Sequence, residues 1–349
     1  MTSACCETPA FLALAVFSFC ALPPPVVHPA GNPVPKVLQG VPVFSGALSV
    51  YRGDSMLDGA AHETVAESAE ELLTWRGLGL ETMASLLVVS LRREGDRSFH
   101  GRCQWPRAHP LNERTFTVQH HPLIAVETTR QLAAAIQRRH LLVGGARVHG
   151  AVSVRLGLSR GGQPTESGSA TDVTGRVILS DLVTRAGSPV SFCVTAEYLH
   201  AGLPFATCAM RFTASRPEER EPFGEAPRPG LLHPAAAAVG AAADPDVLLA
   251  RDAQGRVVIA PRDPGHPVLL PGRPGRLTTP AVLEAGRQAV LLSSGMTARA
   301  VVGLRVNVRS PVPDRGAAVD VVPEYGGARF VVSAAGRVVA TGGVSLVRP

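Results

Sequence analysis

The sequence predicts an α+β protein built as two tandem copies of one unit, an antiparallel sheet wrapped around a central helix. Three observations predict it. An apolar helical stretch, His121-Pro-Leu-Ile-Ala-Val-Glu127-Thr-Thr-Arg130-Gln131, returns as Pro280-Ala-Val-Leu-Glu284-Ala-Gly-Arg287-Gln288. A hairpin-like stretch, Ala201-Gly-Leu-Pro-Phe-Ala-Thr207, returns in the same order as Ala335-Gly-Arg-Val-Val-Ala-Thr341. After each helix come segments that alternate apolar and polar residues, the pattern of strands with one covered face.

In chain order, residues 1–80 read as a poorly structured extension. Its apolar run Ala10–Leu22 is too short to span a bilayer, and no basic residue precedes it. Met56 offers itself as a later start. Ser85–Ser90 and Phe99–Trp105 read as strands, broken by Pro106 and Pro110. A helix over about 123–139 has no internal Gly or Pro and ends near Gly144-Gly145. Strands follow over Val148–Leu158, Val173–Val183, Val190–Tyr198 and Phe205–Phe212, with a surface loop at 160–171. The charged, Pro-rich stretch 215–235 reads as a linker between a first domain (81–214) and a second (236–349). The second domain repeats the pattern: Asp246–Ala250, Arg256–Ala260, a helix over about 280–293, then strands near 300–308, 319–321, 330–332 and 338–347. One sheet around one helix is the economical way to bury such a helix. That is the hotdog arrangement, here doubled.

Composition narrows the function classes. The chain has 349 residues, 45% of them hydrophobic and 18% charged, so it is globular and large enough for two cores. Only Lys36 among the 34 basic residues is a lysine, a bias that looks like GC-rich coding more than a demand for phosphate contacts. The net charge of +6 permits an acidic partner, but no zinc-finger spacing or helix-turn-helix cue accompanies it, so neither nucleic acid nor a membrane is expected. The six cysteines form no Cys-x-x-Cys pair and read as small buried hydrophobes of a cytoplasmic protein.

Gln104-Trp-Pro-Arg107-Ala-His109-Pro110, followed by the His121–Gln131 stretch, resembles the A-factor biosynthesis family, the γ-butyrolactone autoregulator synthases of actinomycetes; Val282-Leu-Glu284-Ala-Gly-Arg287-Gln288-Ala resembles that family's second half. The resemblance implies an acyltransferase that moves a β-ketoacyl chain from acyl carrier protein to the hydroxyl of dihydroxyacetone phosphate. The phosphopantetheine arm would belong to the donor, and no separate cofactor or metal is implied. The family's glutamates map onto Glu127 and Glu284, its Arg-Gln pairs onto Arg130-Gln131 and Arg287-Gln288. One departure stands out. Before the second helix the family carries Asp-His-Pro and Asp-His-Val-Pro-Gly, whereas here His266-Pro267 and Pro271-Gly272 remain without the aspartates or the second histidine.

Acyl transfer to an alcohol needs a base for the hydroxyl and donors for the developing oxyanion. Positions i, i+3 and i+4 share a helix face, so Glu127, Arg130 and Gln131 converge, as do Glu284, Arg287 and Gln288. A carboxylate in an apolar helix is expected to have a raised pKa, suited to a base. The competing reading is a solvated surface ion pair worth a few tenths of a kcal/mol. The apolar flanks and the repetition favour the site, with Glu127 preferred because its approach sequence is the better kept. His120, His121 and His266 stand just before the helices, as caps or as substrate contacts, and Arg107 and His109 stand near the entrance. A hotdog thioesterase or dehydratase acting on carrier-bound chains is the enzymatic alternative, and a degenerate acyl-binding homologue the non-enzymatic one.

Overall fold

The computed structural model describes residues 70–115, 117–142, 149–185, 187–214, 230–272 and 275–347. The N-terminal run Ala10–Leu22, Met56, the glycine pair at 144–145 and most of the expected linker fall outside them.

The first half runs β1 (Glu71–Leu72), β2 (Val88–Arg93), β3 (Ser98–Pro106), β4 (Val118–Gln119), α1 (Pro122–Ile136), β5 (Gly150–Leu158), β6 (Thr165–Glu166), β7 (Ala170–Arg185), β8 (Ser188–His200) and β9 (Leu203–Thr213). The second runs β10 (Leu249–Arg251), β11 (Val257–Ile259), α2 (Thr279–Ser294), β12 (Val301–Val308), β13 (Ala318–Glu324), β14 (Gly327–Ala334) and β15 (Arg337–Leu346). Among the described residues the sheet begins earlier than expected: β1 pairs with β2, and Leu73, Leu78 and Leu80 are buried. A π-helical turn, Gln137–Leu141, finishes the first helix.

The main sheet has the order β1-β2-β3-β7-β8-β9-β5-β12-β15-β14-β13-β11-β10. From β2 inwards the first half reads β2-β3-β7-β8-β9-β5. From β10 inwards the second reads β10-β11-β13-β14-β15-β12, the same topology with α2 in the place of α1. The repeated hairpin signature takes the same turn in both copies. Ala201 and Gly202 have φ of 49° and 79°, and Ala335 and Gly336 have 48° and 74°. Positive φ at both central residues is the type I′ signature, whose twist suits a hairpin.

The halves meet where β5 pairs antiparallel with β12, Arg155 standing opposite Arg305. They therefore share one continuous sheet and one apolar cluster, running from Leu73 to Val344. The physical reason is an edge: β5 and β12 each end a half-sheet, and pairing them satisfies two rows of backbone groups at once. Both helices lie on one face of this sheet, almost wholly buried. The opposite face carries the polar alternates, among them Arg155 and Arg305. Phe330 packs between Gly286 of α2 and Gly342 of β15, and a Cβ added at either glycine would overlap its ring. The helix can lie this close to the sheet only because both positions lack a side chain.

Candidate functional site

The two copies of the helix signature fold alike. Arg130 Nε and Nη2 donate to Glu127 Oε2 and Oε1 at 2.7 and 2.6 Å, and Gln131 Nε2 donates to Oε1 at 3.0 Å. Arg287 donates to Glu284 at the same 2.7 and 2.6 Å, and Gln288 Nε2 does so at 2.9 Å. Both glutamates are buried, at 5% and 1% exposure. The expected convergence on one helix face is therefore present twice.

The glutamines have a further job. Gln131 Oε1 accepts from the Leu87 and Val88 amides, and its Nε2 donates to the Ser85 carbonyl. Gln288 does the same in the second half, accepting from Leu248 N–H and donating to the Asp246 carbonyl. Each amide staples the entrance of its half's outer strand to the helix, which commits its hydrogen-bonding capacity to the main chain. The staples also align Ser85 with Asp246 as equivalent positions.

His121 separates the copies. It caps α1, its Nδ1 accepting the Leu123 N–H at 3.2 Å, and Asn112 Oδ1 anchors its backbone N–H at 2.9 Å. With Nδ1 occupied as an acceptor, the neutral ring carries its proton on Nε2. That Nε2 faces Glu284 Oε1 of the other half at 3.8 Å, too long for a direct hydrogen bond. The cap of α2 is Thr278, whose hydroxyl accepts the Ala281 N–H. Among the described residues no histidine forms an ion pair with Glu127 like the one at Glu284. The sequence preferred Glu127, but the structure gives the histidine to Glu284.

The charges follow from this packing. Burial alone would raise the Glu284 pKa, but the Arg287 guanidinium, helped by His121, holds it below the usual carboxylate range. The raised pKa expected for a carboxylate in an apolar helix is thus corrected at Glu284, because its ion partner lies in the same buried shell. Burial pushes His121 down to about 4, and Arg287 adds to the effect. At neutral pH the pair is a carboxylate facing a neutral imidazole N–H. Arg287 is completely buried. Its Nη2 also donates to the Gly240 carbonyl, and its Nη1 finds no partner among the described residues. Arg130 in the first half is half-buried.

His266 is tied into the same region. Its Nδ1 accepts from the Val268 and Leu269 amides, and its Nε2 donates to Asp246 Oδ1 at 2.9 Å. His109 is its counterpart. His109 Nδ1 accepts from Leu111 N–H, but Ser85 stands where the second half has Asp246, and the buried His109 Nε2 is left without a partner among the described residues. Burial and the neighbouring His121, His120 and His266 push His109 down to about 3. His120 sits between Asn112 and the Thr171 hydroxyl, which donates on to Glu166. Arg107 donates to the Thr115 carbonyl and does not line the cavity described next.

A cavity of about 50 Å³ opens beside His121, lined also by His120, Gly240, Ala242, Arg299 and Val301. It has room for roughly three waters. Asn112, Asp246, Gly240 and Arg299 were not singled out from the sequence. Each lies on a loop or turn, where no periodicity marks a residue, and only the pairing of the two halves brings them to the helices.

No family model matches the chain, and no curated protein matches it. Solved structures do. A putative thioesterase from Novosphingobium aromaticivorans is 12% identical, with 74% of this chain and 98% of that one covered at a TM-score of 0.39. The dehydratase domain from the terminal module of the rifamycin polyketide synthase is 17% identical, with 78% and 99% covered at 0.40. An acyl-ACP thioesterase from Bacteroides thetaiotaomicron is 7% identical, with 71% and 98% covered at 0.42. The hotdog class itself rests on this chain's own large antiparallel sheet and the long helices it encloses. Among the described residues no helix is long and apolar enough to cross a membrane.

Proposed function

We propose that this chain is an enzyme acting on acyl thioesters and that its working centre is the His121–Glu284 pair. The observation that supports it is the 3.8 Å gap between a neutral Nε2–H and an ionised carboxylate oxygen. A hydroxyl seated between them accepts from His121 and donates to Glu284, which orients its lone pair and draws off its proton. Water needs no further subsite and attacks the thioester carbonyl while its proton passes to the departing thiolate. In a dehydration the pair instead takes the α-proton and supplies a proton to the β-hydroxyl, which leaves as water. Thioester hydrolysis or dehydration is therefore the leading reading, with a carrier-bound acyl chain as substrate and no cofactor beyond the carrier's own phosphopantetheine arm. Incubation with β-hydroxyacyl and β-ketoacyl carrier protein, following thiol release and enoyl absorbance, tests it. Absence of both with every chain length tried would overturn the reading.

A second reading keeps the same pair and changes the hydroxyl. In the transfer of a β-ketoacyl group to dihydroxyacetone phosphate, the acceptor's hydroxyl takes the bridging place. One observation favours it: Arg299 lines the cavity, exposed and with no ion pair among the described residues, where an acceptor phosphate would need a cation. Thiol release that depends on the phosphorylated acceptor, and that Arg299→Gln weakens through KM, separates this reading from hydrolysis.

A further inference from the structure

The face of the sheet turned away from the helices carries a groove along the seam between the halves, about 650 Å³ in volume. Four arginines line it: Arg155, Arg211, Arg305 and Arg329. Their placement follows from strand register. Arg155 of β5 stands directly opposite Arg305 of β12, Arg305 stands opposite Gly343 of β15, and Gly343 stands opposite Arg329 of β14. The missing side chain at Gly343 leaves room for the Arg305 guanidinium, whose Nε would lie 2.8 Å from a Cβ added there. Arg211 lies on β9, beside β5, opposite Ser153.

Carboxylates only partly balance these charges. Asp181 holds Arg211 at 3.0 Å, while Glu324 is shared at long range by Arg305 at 3.7 Å and Arg329 at 3.6 Å. Arg155 forms no ion pair among the described residues. Like charges directly opposite across a strand pair are destabilising, so the apo groove holds repulsion that an anion would relieve. Neighbouring strands lie ~4.8 Å apart, close enough for the Arg155 and Arg305 forks to grip one phosphoryl group bidentately. Arg211 and Arg329 lie further out, one on each side, where a second anionic group would reach. Ser153, Asn307 and Thr341 add neutral hydrogen-bonding groups along the wall. The volume is that of a small-molecule site, which favours a compact polyanion over an extended partner.

We propose that this groove binds a small ligand carrying two or more linked phosphoryl groups. It lies on the opposite face of the sheet from His121 and Glu284 and does not depend on the function assigned to them. Inorganic pyrophosphate and ADP are titrated separately into the full chain by calorimetry at physiological salt, with orthophosphate as the single-phosphoryl control. The expected result is one saturable site, tighter for pyrophosphate or ADP than for orthophosphate. Equal affinity for pyrophosphate and ADP shows that the linked phosphoryl groups are the ligand's whole recognised part, and tighter ADP shows that a nucleoside adds contacts. Arg155→Gln with Arg305→Gln is expected to weaken binding by on the order of tenfold or more, and Arg176→Gln, on the same face but outside the groove, to leave it unchanged. The double variant is expected to melt no lower than the parent, because it removes the facing like charges; should it fail to fold, Arg155→Gln alone carries the test. Absence of saturable binding, unchanged affinity in the variants, or binding of orthophosphate as tight as pyrophosphate and ADP would each overturn the proposal. Binding of a polyglutamate peptide without binding of pyrophosphate or ADP would also overturn it, in favour of an acidic protein surface.

Discussion

His121 Nε2 lies 3.8 Å from Glu284 Oε1, the histidine capping the helix of one half and the glutamate standing within the helix of the other. This contact across the seam makes the two copies of the signature unequal. The copy at Glu284 has His121 beside it and the Asp246–His266 pair close by. The copy at Glu127 belongs to the half where Ser85 replaces that aspartate, and its opposing cap is Thr278.

This inequality predicts the outcome of isosteric substitution. Glu284→Gln keeps the shape and loses the charge. His121→Asn keeps a good helix cap while removing the Nε2–H. Each is expected to lower kcat on a thioester substrate by about 10²–10³, the usual loss when a positioned acid–base group is removed. Glu127→Gln is expected to retain most of the activity. Steady-state thiol release checks all three, and a Glu127→Gln protein as impaired as Glu284→Gln would make the two sites equivalent after all.

The buried histidines set how stability depends on pH. Burial holds His120 and His121 down to about 4 and His109 to about 3, all below the ~6.5 of an unfolded chain. The unfolded state therefore takes up these protons first, and stability rises with pH through this range. The contribution is complete above pH ~6.5 and is lost progressively as pH falls towards about 4, at up to ~1.4 kcal/mol per pH unit for each histidine. Glu284, held below its ordinary range, adds a loss of the same sign at lower pH still. Melting temperature measured from pH 7.5 to 4.5 should fall steadily from about pH 6.5. A flat profile down to pH 5 would contradict the packing of these three side chains.

The glutamine staples predict a stability effect of their own. Gln131→Leu leaves the Leu87 and Val88 amides and the Ser85 carbonyl facing an apolar side chain. Unsatisfied buried groups of this kind cost about 1–3 kcal/mol each, so with three of them a loss of roughly 3 kcal/mol or more is expected. Gln288→Leu should behave alike. Because the amides are already committed to main chain, Gln131→Glu, tested for folding and for substrate affinity, should damage stability more than affinity. A stable variant with weakened substrate binding would assign the amide to the substrate instead.

Much of this was legible in the sequence, for reasons particular residues show. The strands of the first half appear close to where Val148–Leu158, Val190–Tyr198 and Phe205–Phe212 place them, because side-chain alternation records one buried face directly. The triads were legible because spacings of three and four on a helix fix a shared face. The role of the glutamines was not, since their partners Leu87 and Leu248 arrive from outer strands far along the chain. The seam was hidden for a similar reason. Alternation in β5 and β12 says which side chains face inwards but not what pairs with a free edge, so the sequence read as two domains where the structure shares one sheet. His121 and Glu284 meet only because of that pairing.

The contact between Phe330 and α2 sets two effects against each other. Replacing Gly286 with alanine in a helix interior should by itself stabilise by about 1 kcal/mol. The new Cβ would overlap the Phe330 ring, and the ring cannot withdraw, because Gly342 and the Arg305 carbonyl stand behind it in the sheet. Overpacking of a closed core costs typically 1–3 kcal/mol and more where neighbours cannot shift, so the clash should win. Gly286→Ala is expected to be destabilised by up to about 2 kcal/mol, the overpacking cost less the helix gain. Phe330→Leu should show the cause: in the Gly286→Ala/Phe330→Leu double variant the two losses should sum to less than their separate values, because the smaller side chain makes room for the methyl group. Strict additivity in denaturant unfolding would mean that the ring and the helix do not meet as described.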